Sequence, residues 1–292
     1  TRTLEVLRPK YVSTVDSGNY IACLIALKEG LREYAETENF NFSNIQGLKD
    51  AILEEKAEYR ELLDDVTDKA EMFQKLNLHQ DEFINNRTIQ KMLSMFREEK
   101  SFDIGDLLQR ITRIIESTSF SFLYNDRKEL FSIGYNAEEK KLTPSYYDLL
   151  ASEARQTSYI AVAKGEVGKR HWRSLGRSMA QFDHHSGLVS WTGTMFEYLM
   201  PLLLQKDYRG SLLDETYQFV VDSQIEYAEN KNVPWGISES GFYSFDIDLN
   251  YQYKAFGIPD NGLKRGLKED TVISPYSTFL AMMVRPRRAV TN

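Results

Sequence analysis

The chain has 292 residues, enough for one large domain or two modest ones, and 42% hydrophobic with 27% charged residues is an ordinary globular balance. A net charge of −7 argues against nucleic acid or an anionic membrane as the principal partner, because those surfaces select basic patches. The single Cys23 excludes an internal disulfide and a thiolate metal cluster, and no apolar run approaches the ~18 residues that span a bilayer.

Residues 1–42 open with an extended stretch, Arg8-Pro9-Lys10-Tyr11-Val12, and then the turn and cap formers Ser13 to Asn19. Asp16 or Ser17 is suited to cap the helix that the pattern predicts up to Tyr34. This polar cluster reads equally as a plain helix start and as a loop at the mouth of a pocket. Cys23, inside the apolar run Ile21 to Leu27, reads as a small core residue. Thr1 is not an initiator methionine and no signal pattern follows it, so the chain reads as a piece of a longer protein.

Residues 43–118 are rich in charge and lack proline. Leu48, Ile52, Tyr59, Leu62, Leu63 and Val66 recur at helical spacing. Ile89, Met92, Leu93, Met95 and Phe96 form a second such segment, and a third runs from Ile104 to Ile115. The expectation is long amphipathic helices that pack and are solvated on their outer faces, with no catalytic group among them.

Residues 119–292 hold all three Trp, most of the Gly and Pro, and three of the four His. Ser119–Tyr124 and Leu130–Tyr135 predict a hairpin around Asn125-Asp126-Arg127-Lys128. Helical patterns follow at 146–164, 190–205, 211–230 and 274–284. Helices joined by loops rich in Gly, Trp and Tyr predict an all-α bundle or an α/α toroid with short β-hairpins in its loops, and function tends to sit on such loops.

Cofactor and metal motifs fail. Gly165-Glu166-Val167-Gly168-Lys169-Arg170 places its glycines too close together for a phosphate loop, and no Ser or Thr follows the lysine. In Asp183-His184-His185-Ser186-Gly187 two adjacent histidines do not converge easily on one ion, so neither metal nor cofactor is expected.

Carboxylates in apolar surroundings remain. Tyr146, Leu149, Leu150, Glu153, Thr157 and Ile160 share one face of the helix predicted there, and Glu153 is the charged member. It reads either as a buried glutamate satisfied by an arginine or as a group lining a cavity. Glu197 lies in Trp191-Thr192-Gly193-Thr194-Met195-Phe196-Glu197-Tyr198-Leu199-Met200-Pro201, where Pro201 removes a helical donor and bends the chain. It serves either freed backbone groups or a site. Glu239 follows the turn of Pro234-Trp235-Gly236 and is flanked by serines. It is either a surface-loop residue or a pocket acid whose pKa an apolar wall raises. Cleavage of a glycosidic bond requires two such carboxylates, one to protonate the leaving oxygen and one to attack the anomeric carbon or activate water.

Six strings in order carry a resemblance. They are Tyr11 to Asn19, Tyr147 to Arg155, Trp191 to Pro201, Val233 to Ser240, Leu249-Asn250-Tyr251-Gln252-Tyr253, and Gly262 to Leu267. Together they resemble the glucoamylase-like, ring-closing domain of cyclic β-1,2-glucan synthases, while the charged middle matches only loosely. The resemblance implies an (α/α)6 barrel, in whole or in part, over residues 1–292. It also implies a retaining transglycosylation that closes linear β-1,2-glucan into a ring through a glycosyl-enzyme. Glu153 and Glu239 match the catalytic pair, with Glu153 assigned as nucleophile and Glu239 as acid/base, although the strings do not fix which is which. Asp16, Trp191, Glu197, Trp235, Tyr251 and Tyr253 would line glucan subsites. The implied partners are β-1,2-glucan and the glycosyltransferase and phosphorylase-like domains of a larger synthase, with this segment, itself soluble, at the cytoplasmic face of the bacterial inner membrane. An endo-β-1,2-glucanase and a non-catalytic glucan-binding module are the competing readings.

Overall fold

The structure, a computed structural model, describes residues 6, 8–36, 40–67, 69–77, 86–87, 89–91, 94, 104–182, 185–247, 249, 251–259 and 261–292. Met92, Leu93, Met95 and Phe96 of the second amphipathic segment lie outside the described residues, as do Asp183, His184 and Asn250. The chain divides into two compact units, Ile25–Glu116 and Thr1–Leu24 with Ser117–Asn292.

Strand β1 (Tyr11–Ser13) leads directly into helix α1 (Thr14–Glu36). The cap is Ser13, whose Oγ accepts from Asp16 N–H at 3.2 Å, rather than Asp16 or Ser17. The buried stripe of α1 is Thr14, Val15, Gly18, Ile21 and Ala22. Cys23 sits one residue beyond that stripe and is exposed, so it is not the core residue expected from its apolar neighbours.

The unit of residues 25–116 contains α2 (Phe40–Glu55), α3 (Arg60–Leu63), α4 (Lys69–Asn77) and most of α5 (Ile104–Ser117). Leu48, Ile52, Leu63 and Val66 are buried in its core. The long helix expected across these residues is interrupted at Lys56, whose φ of −142° is extended, and a 3-10 turn over Ala57–Tyr59 precedes α3. Lysines close the carbonyls that the short helices leave open: Lys49 Nζ donates to Asp64 O at 3.1 Å and Lys75 Nζ to Leu62 O at 3.0 Å.

The other unit overturns the all-α expectation. Strands β2 (Tyr124–Asn125), β3 (Leu130–Ser132) and β6 (Tyr146–Tyr147) form one antiparallel sheet in the order β2-β3-β6. β4 (Gly134–Asn136) pairs with β1 and with β5 (Lys141–Leu142). Hairpins β7 (Met179–Phe182)/β8 (His185–Leu188) and β9 (Glu239–Phe245)/β10 (Tyr251–Ala255) add two further sheets. An α/α barrel built from helices alone does not describe this chain. The predicted hairpin is present only in part: Asn125 Oδ1 caps its turn by accepting from Arg127 and Lys128 N–H, while residues 121–123 are a 3-10 turn.

The helix expected from residue 146 is also absent at its start. Tyr146 and Tyr147 pair with Ser132 and Phe131, Leu149 bridges Gly176, and α6 begins only at Arg155, running to Ala163. Ser152 sets that start, since its carbonyl accepts from Arg155 N–H and its Oγ from Ala154 N–H. Glu153 therefore stands in the turn before α6. α7 (Arg170–Ser174) and α8 (Met195–Leu199) are short, and at Pro201 α8 gives way to a 3-10 turn. α9 (Leu212–Lys231) is the central helix, capped by Ser211 at its start and by Asn232 in the left-handed conformation at its end. It buries Tyr217, Val220, Val221 and Ile225 in the main core, against Leu150, Tyr198 and Leu199. Its Phe219 lies where a Cβ on Gly187 would stand, only 2.4 Å from the ring, so β8 needs glycine at that crossing. α10 (Pro275–Ala281) and α11 (Pro286–Val290) complete the chain.

Candidate active site

The unit formed by residues 1–24 and 117–292 brings Asp16, Glu197 and Glu239 within reach of the charge of Glu153, and Glu197 within reach of Glu239. Each arrives on a separately built support. The first turn of α1 is clamped on both sides, with Thr14 Oγ1 donating to Ser132 O at 2.6 Å and Thr14 O accepting from Thr157 Oγ1 at 2.8 Å. That fixes Asp16 and Asn19 beside the turn that holds Glu153.

Glu153 is half-buried, and its carboxyl is raised to about 7. Burial is the largest cause, followed by the charges of Glu239, Asp16 and Glu197, while a hydrogen bond from the Asn19 side chain works in the opposite direction. Among the described residues no arginine pairs with it. Arg155, two residues on and 1% exposed, instead donates to Leu150 O, Tyr198 O, Tyr217 Oη and Gln205 Oε1. The Tyr147 phenol is also raised, chiefly by burial and next by Glu153.

Glu239 opens β9, and its backbone is held from three sides. Gln224 exchanges two 2.8 Å hydrogen bonds with the backbone of Ile237, Ser274 Oγ donates to Ser238 O, and Tyr276 Oη donates to Glu239 O at 2.9 Å. The turn before it uses Gly236 at φ +118°, where a side chain would strain the backbone and meet Ser277 Oγ. In the β9/β10 register Glu239 lies opposite Ala255, and Tyr253 Oη reaches Glu239 Oε2 at 2.5 Å. Burial raises the Glu239 carboxyl, the Tyr253 hydroxyl lowers it, and the charge of Glu197 raises it.

Glu197 follows the N-cap of α8, where Thr194 Oγ1 accepts its N–H. Its Oε2 accepts from Ser190 Oγ at 2.7 Å and from Thr192 N–H at 3.0 Å, so it does serve a free backbone donor. Trp191, beside it, is 58% exposed, and Tyr253 is 57% exposed. Trp235 is 6% exposed and packs in the main core, away from solvent. The Tyr251 side chain lies outside the described residues. Asn19, Tyr147 and Tyr276 belong to this constellation without having been singled out; the signal for Asn19 was its place at the end of the polar string that contains Asp16. A neighbouring cavity of about 330 Å³, lined by residues such as Lys254, Lys264, Arg265 and Asp270, includes none of the four carboxylates. Among the described residues no group of three or more His, Cys, Asp or Glu side chains is arranged to hold a metal ion.

Two carboxyl groups raised by burial, with the exposed rings of Trp191 and Tyr253 in the same segments, are suited to acid/base and nucleophilic work. Residues 145–292 match the family described as putative glucoamylases, and the chain belongs to that family. Over its whole length it is similar to the cyclic beta-(1,2)-glucan synthase NdvB of Rhizobium meliloti (strain 1021), at 34% identity across 356 aligned positions. The alignment takes in 100% of this chain and 12% of that protein. Among the described residues no helix is long and apolar enough to cross a membrane.

Proposed function

We propose that this chain closes linear β-1,2-glucan into a ring by retaining transglycosylation. The observation that supports the chemistry is the different surroundings of the two carboxyl groups, with like charges facing Glu153 and a hydroxyl donor on Glu239. Glu153, raised to about 7, holds a proton near neutrality and is the acid. Glu239 is raised by burial, but it receives the Tyr253 hydroxyl, which works toward its ionised form, and on this reading it is the nucleophile. This reverses the roles first assigned to the pair.

In the first step Glu239 attacks the anomeric carbon while Glu153 protonates the glycosidic oxygen. The bond to the reducing-side fragment breaks and that fragment leaves with its reducing end intact. In the second step Glu153, now a carboxylate, takes the proton of the C2 hydroxyl at the chain's own non-reducing end. That oxygen displaces Glu239, the ring closes, and both carboxyl groups return to their starting states. Asp16, Glu197, Trp191 and Tyr253 line the subsites on this reading, with the rings of Trp191 and Tyr253 exposed for stacking on sugar faces.

Similarity to a stretch that is 12% of a much longer synthase supports the view that the chain works beside glycosyltransferase and phosphorylase-like domains. On the same reading that assembly sits at the cytoplasmic face of the inner membrane. The test is incubation with linear β-1,2-glucan. Ring products one water lighter than the linear chain of equal length, at a constant number of reducing ends, are expected; reducing ends that rise with time would show a hydrolase instead.

A further inference from the structure

Glu197 and Glu239 stand on different segments, α8 and β9, and the backbone joins those segments at the first turn of α8. A helix opens with N–H groups that have no partner inside it. Here Met195 N–H donates to Ile237 O at 3.3 Å, Phe196 N–H to Ser238 Oγ at 3.0 Å, and Glu197 N–H to Thr194 Oγ1 at 3.1 Å. Two of these three acceptors belong to the residues that run directly into Glu239, so α8 is capped by the segment that carries the other carboxylate.

The start of α10 holds that segment from a second side. Ser274 occupies the N-cap position of α10 but makes no side-chain cap there; its Oγ donates to Ser238 O at 3.1 Å and its N–H to Gly236 O at 2.8 Å. The ring of Tyr276 meets that of Phe196 edge-on, with centroids 6.3 Å apart. Tyr276 Oη lies 2.9 Å from Ser238 Oγ and 2.9 Å from Glu239 O. A phenol has one proton and a carbonyl only accepts, so that proton goes to Glu239 O. Ser238 is fully buried and its Oγ accepts from Phe196 N–H, which leaves its own proton for Tyr276 Oη. One directed row results: Phe196 N–H to Ser238 Oγ, Ser238 O–H to Tyr276 Oη, and Tyr276 O–H to Glu239 O. Each hydroxyl donates once and accepts once, and bonds in such a row strengthen one another.

We propose that Ser238 and Tyr276 are positioning residues, whose row of hydroxyls fixes Glu239 against α8 and so against Glu197. This rests on the proposed function and deepens it: the sugar that meets Glu197 then also meets the nucleophile in line. Both hydroxyls act through the backbone that carries Glu239. A misplacement of ~1 Å in such a group can cost ~10²-fold in rate.

The experiment measures kcat and KM on linear β-1,2-glucan for the unchanged chain, Tyr276→Phe, Ser238→Ala and the double variant, with thermal melting followed by circular dichroism to verify folding. Tyr276→Phe keeps the ring against Phe196 and removes the hydroxyl alone. It is expected to lower kcat about 10–30-fold and to leave KM within about twofold. Ser238→Ala should lose a similar factor, and the double variant no more than about twofold beyond the larger single loss, because both hydroxyls serve one row. An unchanged kcat in Tyr276→Phe, a loss confined to KM, or single losses that multiply in the double variant would overturn the proposal. Hydrogen exchange at Phe196 N–H tests the row without turnover. Tyr276→Phe should speed it about threefold, although that variant removes neither the amide nor its acceptor, and an unmoved rate overturns the proposal. A parent chain with no activity on this glucan would count against the proposed function instead, and the exchange rate then decides the row by itself.

Discussion

Arg155 and Glu153 are two residues apart and both withdrawn from water, yet the chain treats their charges in opposite ways. The guanidinium meets two backbone carbonyls, a phenol oxygen and an amide oxygen, with the Tyr217 ring centroid 5.8 Å away. Leu150 and the loop after α8 are thereby tied to α6 and α9. Among the described residues the carboxylate has an opposing bond from the Asn19 side chain and faces three other acids. A buried charge supplied with partners holds a fold together, whereas one surrounded by its own sign is kept ready to take up a proton.

Removal of the carboxylates should give the largest effects. Glu239→Gln is expected to lower kcat by more than ~10⁴-fold, since on the proposed mechanism it forms the glycosyl-enzyme. Glu153→Gln should lose about 10²–10⁴-fold, the range for a general acid, and should lose least on substrates with an activated leaving group. Comparing the two variants on an aryl β-glucoside and on the glucan checks the assignment. A leaving-group rescue seen in Glu239→Gln and not in Glu153→Gln would restore the opposite roles.

Much of this site was legible in the sequence, but by a route that placed its parts incorrectly. Glu153 stood out because it interrupted an apolar stripe of period 3.6, and only the end of that stripe, Thr157 and Ile160, is helical: Tyr146 is in a strand and Glu153 in a turn. Except for β9, the strands have only two to five residues, too short for alternation to announce them, which is why an all-helical chain was expected. Trp235 drew attention to Glu239 through adjacency alone, yet it points into the core while Glu239 opens a strand on the site. What the residues conveyed well were local devices, such as the glycine and proline before Glu239 and the pattern of α9, because those are dictated by backbone chemistry within a few positions. Convergence of Asp16, Glu153, Glu197 and Glu239 depends on contacts across more than a hundred residues, and no spacing encodes it.

The structural side of the contrast is tested at Arg155. Arg155→Met keeps much of the apolar stem but leaves the oxygens of Leu150, Tyr198, Tyr217 and Gln205 without their donor, so unfolding in urea should begin about 2–4 kcal/mol sooner. Activity per folded molecule should change far less than in either glutamate variant. If the variant folds as stably as the parent, the guanidinium is not the tie between these segments.

Glu153 should behave in the opposite sense, and only over part of the pH range. Its carboxyl is raised in the folded chain to about 7 from the ordinary glutamate value of 4.5. The folded state therefore binds the proton more tightly than the unfolded one, and the stability this contributes is fully present below the unfolded value. It is lost as pH rises through 4.5 to about 7, and above that window the folded chain carries an ionised, poorly partnered carboxylate. Glu153→Gln removes that charge while keeping the shape. The variant should thus match the parent near pH 4 and exceed it by roughly 1–3 kcal/mol at pH 8, with the difference opening across the window. A site built for stability would show the reverse, with the glutamine variant weaker at every pH. Equal stability of the two proteins from pH 4 to 8 would mean that Glu153 is not held out of water as described, and its role as the acid would fall with it.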